Sequence, residues 1–180
     1  KRAIDRLVEV ETQPEILQLS GGEPTIHPDF EAIFKYACDQ PIDIIMVNTN
    51  GLRIAKDPDF AELLSLYQKR CEVYFQFDSF EDVQTEALRG VSLVDTKLKA
   101  IERLGELGIR TTLVCTLQAG INDHEIGAII EFAIQRPWIT GVSFQPTTYT
   151  GRYFLPDELE KRITFPDILQ GLESQTGGRW

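Results

Sequence analysis

Ile16-Leu17-Gln18-Leu19-Ser20-Gly21-Gly22-Glu23-Pro24-Thr25 joins a short apolar run to a turn built on two glycines. Adjacent glycines open backbone conformations closed to other residues and let a ligand approach the main chain. A carboxylate follows at once, and Pro24 stiffens the exit. Such a strand end offers carbonyl oxygens and one fixed negative charge, which suits a cationic amine. A phosphate loop would supply a lysine and a helix N-terminus instead. Taken alone, the run also reads as a tight strand-to-loop turn with a surface glutamate, because short motifs recur by chance.

Outward from this stretch a unit repeats. Apolar, β-rich runs stand at 15–19, 43–47, 72–77, 110–117 and 141–144, with helical periods between them. Phe30, Ile33, Phe34 and Ala37 fall at i, i+3, i+4 and i+7, as do Phe60, Leu63, Leu64 and Tyr67. Leu98, Ile101, Leu104 and Leu107 make a third helix stopped by Gly108. Ile126, Ile129, Ile130 and Ala133 make a fourth, and 166–172 a fifth. The alternation predicts an α/β protein with a parallel sheet and helices packed outside it. Pro28-Asp29, Pro58-Asp59 and Pro166-Asp167 share one helix-start design, with proline in the first turn and an acid near the positive end of the dipole. His27 and His124 stand at helix entrances without acidic or cysteine partners nearby in sequence, which favours a capping role over catalysis.

Composition narrows the function classes. The 180 residues suit one domain with a continuous core. A net charge of -10 with only scattered Lys and Arg argues against a nucleic-acid or membrane-surface binder. No apolar run is long enough to span a membrane, and there is no signal-peptide pattern. Cys38, Cys71 and Cys115 are odd in number and lack metal-ligand spacing, so they read as free thiols of a reducing cytoplasm, either packed or inert at the surface. The chain opens on Lys1 rather than Met and reads as a piece of something longer.

Function shows in how the strands close. The first ends in Ser20-Gly21-Gly22-Glu23, the second in Asn48-Thr49-Asn50-Gly51, and the third passes through Gln76 and Asp78. The fourth ends in Thr116, Gln118, Gly120 and Asn122, the fifth in Gln145, Thr147 and Thr148. Five successive strands turn polar at their C-terminal ends, the rim where parallel βα folds bind ligands. Gln76 and Asp78 alternate with Phe75 and Phe77 and so share a facing. Burying that carboxylate without a partner would be costly, and a ligand's hydroxyls would serve.

Gly21-Gly22-Glu23-Pro24-Thr25, Asn48-Thr49-Asn50-Gly51 and Gln76-Phe77-Asp78, in this order on consecutive strands, resemble the radical S-adenosylmethionine (SAM) enzymes. The similarity is nearest to the group with the GTP cyclase of molybdopterin synthesis, and within it to iron–sulfur oxidoreductases that include pterin-methylating and tetraether-lipid-coupling enzymes. It covers about residues 15–152. The resemblance implies a partial (β/α)6 TIM-like barrel, here strands two to six with outer helices. It implies that the carbonyls around Gly21 and Gly22 and the carboxylate of Glu23 hold the amino group of SAM, since an ammonium donates and these groups accept. Thr49 and Asn50 would lie by the SAM carboxylate and sulfonium, and Gln76 or Asp78 at the ribose. Thr116, Gln118 and Asn122 would make further contacts. Gln145 would line the pocket near the adenine or substrate.

The resemblance also implies a [4Fe–4S] cluster, an electron donor such as flavodoxin or ferredoxin, and hydrogen abstraction by a 5′-deoxyadenosyl radical. The Cys-x3-Cys-x2-Cys loop that holds the cluster in this family is not in the sequence. Its ligands are therefore expected upstream of Lys1, with residues 1–152 an incomplete barrel lacking its first strand and 153–180 the start of a C-terminal extension. Such a piece would be inactive alone, and its open sheet edge would invite dimerisation. The residues leave two other readings open: a cluster-free (β/α)-barrel lyase or isomerase with Glu23 or Asp78 as base, and a non-catalytic binding module. The substrate, whether pterin, lipid or peptide, is not specified, and Arg152 reads either as a substrate contact or as a solvated side chain.

Overall fold

The structure, a computed structural model, describes residues 1–148 and 162–180. Arg152 and the expected boundary between 152 and 153 lie outside the described residues. The fold is α/β, with a five-stranded parallel sheet in the order β1-β2-β3-β4-β5. The strands are β1 (Ile16–Leu19), β2 (Ile44–Thr49), β3 (Cys71–Gln76), β4 (Arg110–Leu117) and β5 (Ile139–Pro146). The helices are α1 (Arg2–Glu11), α2 (Phe30–Cys38), α3 (Leu52–Lys56), α4 (Pro58–Ser65), α5 (Asp82–Arg89), α6 (Val94–Glu106), α7 (Ile126–Ile134) and α8 (Phe165–Gln175). All five expected strands are present. Three helices, α1, α3 and α5, were not expected from the sequence, and each buries only one residue (Ile4, Ile54 and Thr85).

Contacts divide the chain into two compact units. One comprises Lys1–Gln76, Asp95–Thr112 and Trp138–Thr140; the other comprises Phe77–Val94, Leu113–Pro137 and Gly141–Trp180. In the first unit, β1, β2 and β3 pair in parallel, with Leu17 beside Ile45, Leu19 beside Val47, and Val47 beside Val73. Ile45, Val47, Val73 and Phe75 are fully buried, as are Phe34 and Leu64 on α2 and α4. Phe34 meets Tyr67 edge-on at 5.5 Å between ring centres. This aliphatic and aromatic layer is the core beneath the sheet, and its area removed from water is the main stabilising term. Beyond α2, Arg70 donates to the carbonyl of Cys38, at the helix end, and to those of Gln40 and Ile42 in the loop that follows.

Helix starts follow the sequence design on α4 and α8, whereas on α2 Pro28 lies outside the helix and Asp29 is its N-cap. On α4 the cap is Asp57, whose carboxylate accepts from the Phe60 N–H, with Pro58 in the first turn. On α8, Thr164 and Asp167 form a reciprocal capping box. Before α2, His27 Nδ1 accepts from the Asp29 N–H at 3.0 Å, a bond that positions the N-cap residue but caps none of the helical N–H groups. In the second unit, Phe77, Phe80 and Phe132 form a ring cluster with centroids 5.0 to 5.8 Å apart. There α8 is tied to α7 by Gln175, which accepts from the Gly127 N–H and donates to the Asp123 carbonyl.

Candidate functional site

In the first unit the glycine run takes the conformations that only glycine adopts readily: Gly21 has φ 116° and Gly22 φ 56°. A Cβ at either position would meet nothing within 4 Å, so the space beside both is open. No hydrogen bond among the described residues engages the carbonyls of Gly21 and Gly22. Glu23 is different. Its Oε1 accepts from the Thr25 N–H at 3.1 Å, the Thr25 hydroxyl at 2.6 Å and the Thr49 hydroxyl at 2.8 Å. Its Oε2 accepts from the Asn50 N–H at 2.7 Å and retains acceptor capacity.

The structure thus brings Gly21, Gly22, Glu23, Thr49 and Asn50 together, as the sequence implied, and gives them unequal tasks. Thr49 is buried, and its hydroxyl donates to Glu23 and accepts from the Gly51 N–H. It is a brace between the ends of β1 and β2. Asn50 lends its N–H to Glu23, and its side-chain oxygen accepts from the Leu52 N–H. What remains open for an incoming cation is the pair of glycine carbonyls and one side of Oε2. A donor set of this kind, all acceptors with a net negative charge, fits an ammonium and rejects a phosphate.

One face of the first unit's sheet stays half-exposed. The register sets Gln18 beside Met46 and Met46 beside Glu72, and Asn48 beside Tyr74. Parallel neighbours in register point to the same side, so these residues share a face, and Gln76 joins it by the period of two. The opposite face is the buried layer of Val47, Val73 and Phe75. Glu72 accepts from the Thr112 hydroxyl at 2.8 Å on the exposed face.

In the second unit Asp78 is 1% exposed. The partner sought for it in a ligand's hydroxyls is supplied by the protein: Arg89 Nε and Nη2 donate to its two oxygens, each at 2.9 Å. The Thr116 N–H donates to Oδ1 at 2.9 Å, and the Thr116 hydroxyl accepts from Arg89. Sequence reading missed Arg89 because it ends α5, a helix without an apolar period. Fully buried Asn122 donates to the carbonyls of Asp78 and Thr116 and accepts from the Gln118 N–H, which fixes this corner. Gln76 and Gln118 have half-exposed side chains. Buried Glu125, which no motif flagged, accepts from Ser79 and from the Phe80 N–H.

The residues present do not fit an iron–sulfur cluster. Cys38, Cys71 and Cys115 are all buried. Burial pushes the Cys38 thiol up to about 12 and the Cys71 thiol higher still, far from the thiolate a metal needs. Among the described residues no group of three or more His, Cys, Asp or Glu could hold a metal ion. None of the helices among them is long and apolar enough to cross a membrane.

Comparison with known proteins gives the family. The sequence model of the radical SAM superfamily matches residues 1–133. The chain is 33% identical over 180 residues to the 7,8-dihydro-6-hydroxymethylpterin dimethyltransferase of Methanocaldococcus jannaschii, covering 99% of this chain and 35% of that protein. It is 30% identical over 179 residues to a probable GTP 3',8-cyclase of Thermococcus kodakarensis, covering 88% and 54%. The chain therefore spans about a third to a half of the length of these relatives. Among solved structures, a domain of pyruvate-formate lyase-activating enzyme from Bacteroides vulgatus superposes with a TM-score of 0.67 at 19% identity, covering 90% of this chain and 93% of that one. The enzyme anSMEcpe with bound AdoMet also gives 0.67, at 16% identity, covering 98% and 49%. Enzymes of the matched family bind SAM and a [4Fe–4S] cluster. Matched over most of its length and carrying an acceptor-only glycine corner at the end of β1, the chain belongs to the radical SAM superfamily.

Proposed function

We propose that this chain is the SAM-binding core of a radical SAM enzyme that abstracts hydrogen from a substrate not specified by the residues in hand. The observation that carries the reading is the corner at Gly21 and Gly22: two unengaged carbonyls in left-handed backbone, with a carboxylate held beside them. The ammonium of SAM lies against the two carbonyls and the free side of Glu23 Oε2. Thr49 and Asn50 hold that carboxylate in place. Gln76, Asp78, Thr116 and Gln118 are assigned to the remainder of SAM, with Asp78 acting through Arg89, which it fixes. Bound SAM supplies a 5′-deoxyadenosyl group as the hydrogen-abstracting species. The cluster and its ligands come from outside these 180 residues, a reading supported by the absence of a metal-holding set among the described residues and by the greater length of the relatives. Residues 1–152 form part of the barrel and 153–180 the start of a further region. A reducing cytoplasmic setting, with a flavodoxin or ferredoxin as electron donor, suits three buried cysteines that form no disulfide.

Gly22→Ala tests this assignment. The new methyl group meets no protein atom within 4 Å and, at φ 56°, also strains the backbone, so it acts on the ligand's space and on the carbonyl's orientation together. Calorimetric titration should show SAM binding weakened by about tenfold or more, equal to about 1.4 kcal/mol, with a circular dichroism spectrum like that of the wild type. SAM binding of unchanged strength in Gly22→Ala would sink the assignment.

A further inference from the structure

We infer that Arg53, on α3, is a positioning residue for the SAM corner, fixing Glu23 through the backbone of Thr25. The inference rests on the SAM reading of that corner. Arg53 touches none of the groups assigned to SAM. Its Nη1 donates to the Thr25 carbonyl at 2.9 Å, its Nη2 to Glu31 at 2.6 Å and its Nε to Asp57 at 3.2 Å. The guanidinium also lies over the Phe60 ring, 4.1 Å from its centre. Two carboxylates and a ring therefore fix the fork in one orientation, and its remaining donor meets a carbonyl of the loop after β1.

That carbonyl belongs to a residue only 1% exposed, so without Arg53 it would lose its partner while still shielded from water. Thr25 in turn supplies two of the donors on Glu23 Oε1. The other two donors to Glu23 come from Thr49 and Asn50, at the end of β2. Arg53 follows them by a few residues. The hydrogen bonds thus close a circuit: β2 end to Glu23, Glu23 to Thr25, Thr25 to Arg53, and Arg53 back along the chain to the β2 end. A loop held at one point can swing about it, whereas one held at two points keeps its orientation. The glycine carbonyls, one and two residues before Glu23, inherit that orientation. A surface salt bridge alone would contribute little. The contact that matters is the one to the Thr25 carbonyl, which a lysine in the same place could not make while also reaching Glu31 and Asp57.

SAM titration of the purified protein in a double-mutant cycle decides the matter, using wild type, Arg53→Lys, Glu23→Gln and the pair, with Gly22→Ala alongside. Arg53→Lys should weaken SAM binding about fivefold in the wild-type background and less than about twofold when Glu23→Gln is present, because the two act through one element. A purely structural role would give the same factor in both backgrounds, and that result overturns the inference. So does unchanged affinity in Arg53→Lys when Gly22→Ala binds SAM poorly. If Gly22→Ala binds SAM as well as wild type, the SAM reading itself fails and the inference falls with it. Arg53→Lys keeps the charge facing Glu31 and Asp57 and is chosen for that reason. Should it nevertheless not fold, Arg53→Met, which keeps the packing over Phe60 but has no donor for the Thr25 carbonyl, takes its place in the same cycle.

Discussion

Gly51 shows how a single residue ties a motif to the core. It follows Asn50 at φ 79°, and a Cβ built there falls 2.1 Å from the ring of fully buried Phe75. The glycine of the Asn-Gly pair is therefore required twice, once for its backbone angle and once for the space. Gly51→Ala should lose roughly 1–3 kcal/mol or more from overpacking alone, added to the left-handed strain. Gly90, at φ 75° with nothing within 4 Å, isolates the strain. Gly90→Ala should lose only about 1–2 kcal/mol. Urea unfolding midpoints of the two variants give the comparison, and equal losses would contradict the packing argument. The Asn-Gly pair was legible as a turn from sequence, but the ring beneath it was not, since β3 lies more than twenty residues further on.

At the scale of elements, α5 is the instructive case. Its sequence, Asp82–Arg89, has no apolar stripe, and its one buried residue is Thr85. What it contributes is its last side chain, delivered just before the left-handed Gly90 to a carboxylate that is itself buried. Asp78 stood out in the sequence as a charge in an aromatic strand, and the demand for a partner was sound. The partner's identity required knowing where a helix of low apolar content ends. Removing one member of a buried pair strands the other, and Arg89→Met should destabilise by about 3 kcal/mol, the low end of the range because Arg89 keeps 30% of its side chain in water. A loss under about 1 kcal/mol in chemical denaturation would show that Asp78 is adequately held by other donors. The helices with strong i, i+3, i+4 patterns, α2, α4, α6 and α7, were expected correctly because residues of those patterns, among them Phe34, Leu64, Ile101 and Ile129, are buried.

For the whole molecule, the buried thiols give a pH signature. Burial raises the Cys38 thiol from 9.0 to about 12, so the folded chain keeps a proton that the unfolded chain releases near 9. The unfolded state then binds fewer protons, and stability falls as pH rises between these two values, with no contribution from this group below them. Wild type should therefore lose more of its urea midpoint than Cys38→Ala between about pH 8 and about pH 10.5; parallel losses would refute this. In native protein the three thiols should resist a water-soluble thiol reagent and react once unfolded. The sequence by itself determined the βα alternation, the strand order of the polar rim and the Gly-Gly-Glu corner, because periodicity and glycine are local properties. Only the tertiary structure decided that Glu23 is clasped by Thr25, Thr49 and Asn50, that Arg53 secures the loop, and that Arg89 answers Asp78. Apart from the bonds between Glu23 and Thr25, which are two residues apart, those choices join residues 11 to 28 positions apart, and such a hydrogen bond depends on where the backbone brings the partners and not on how they are spaced along it.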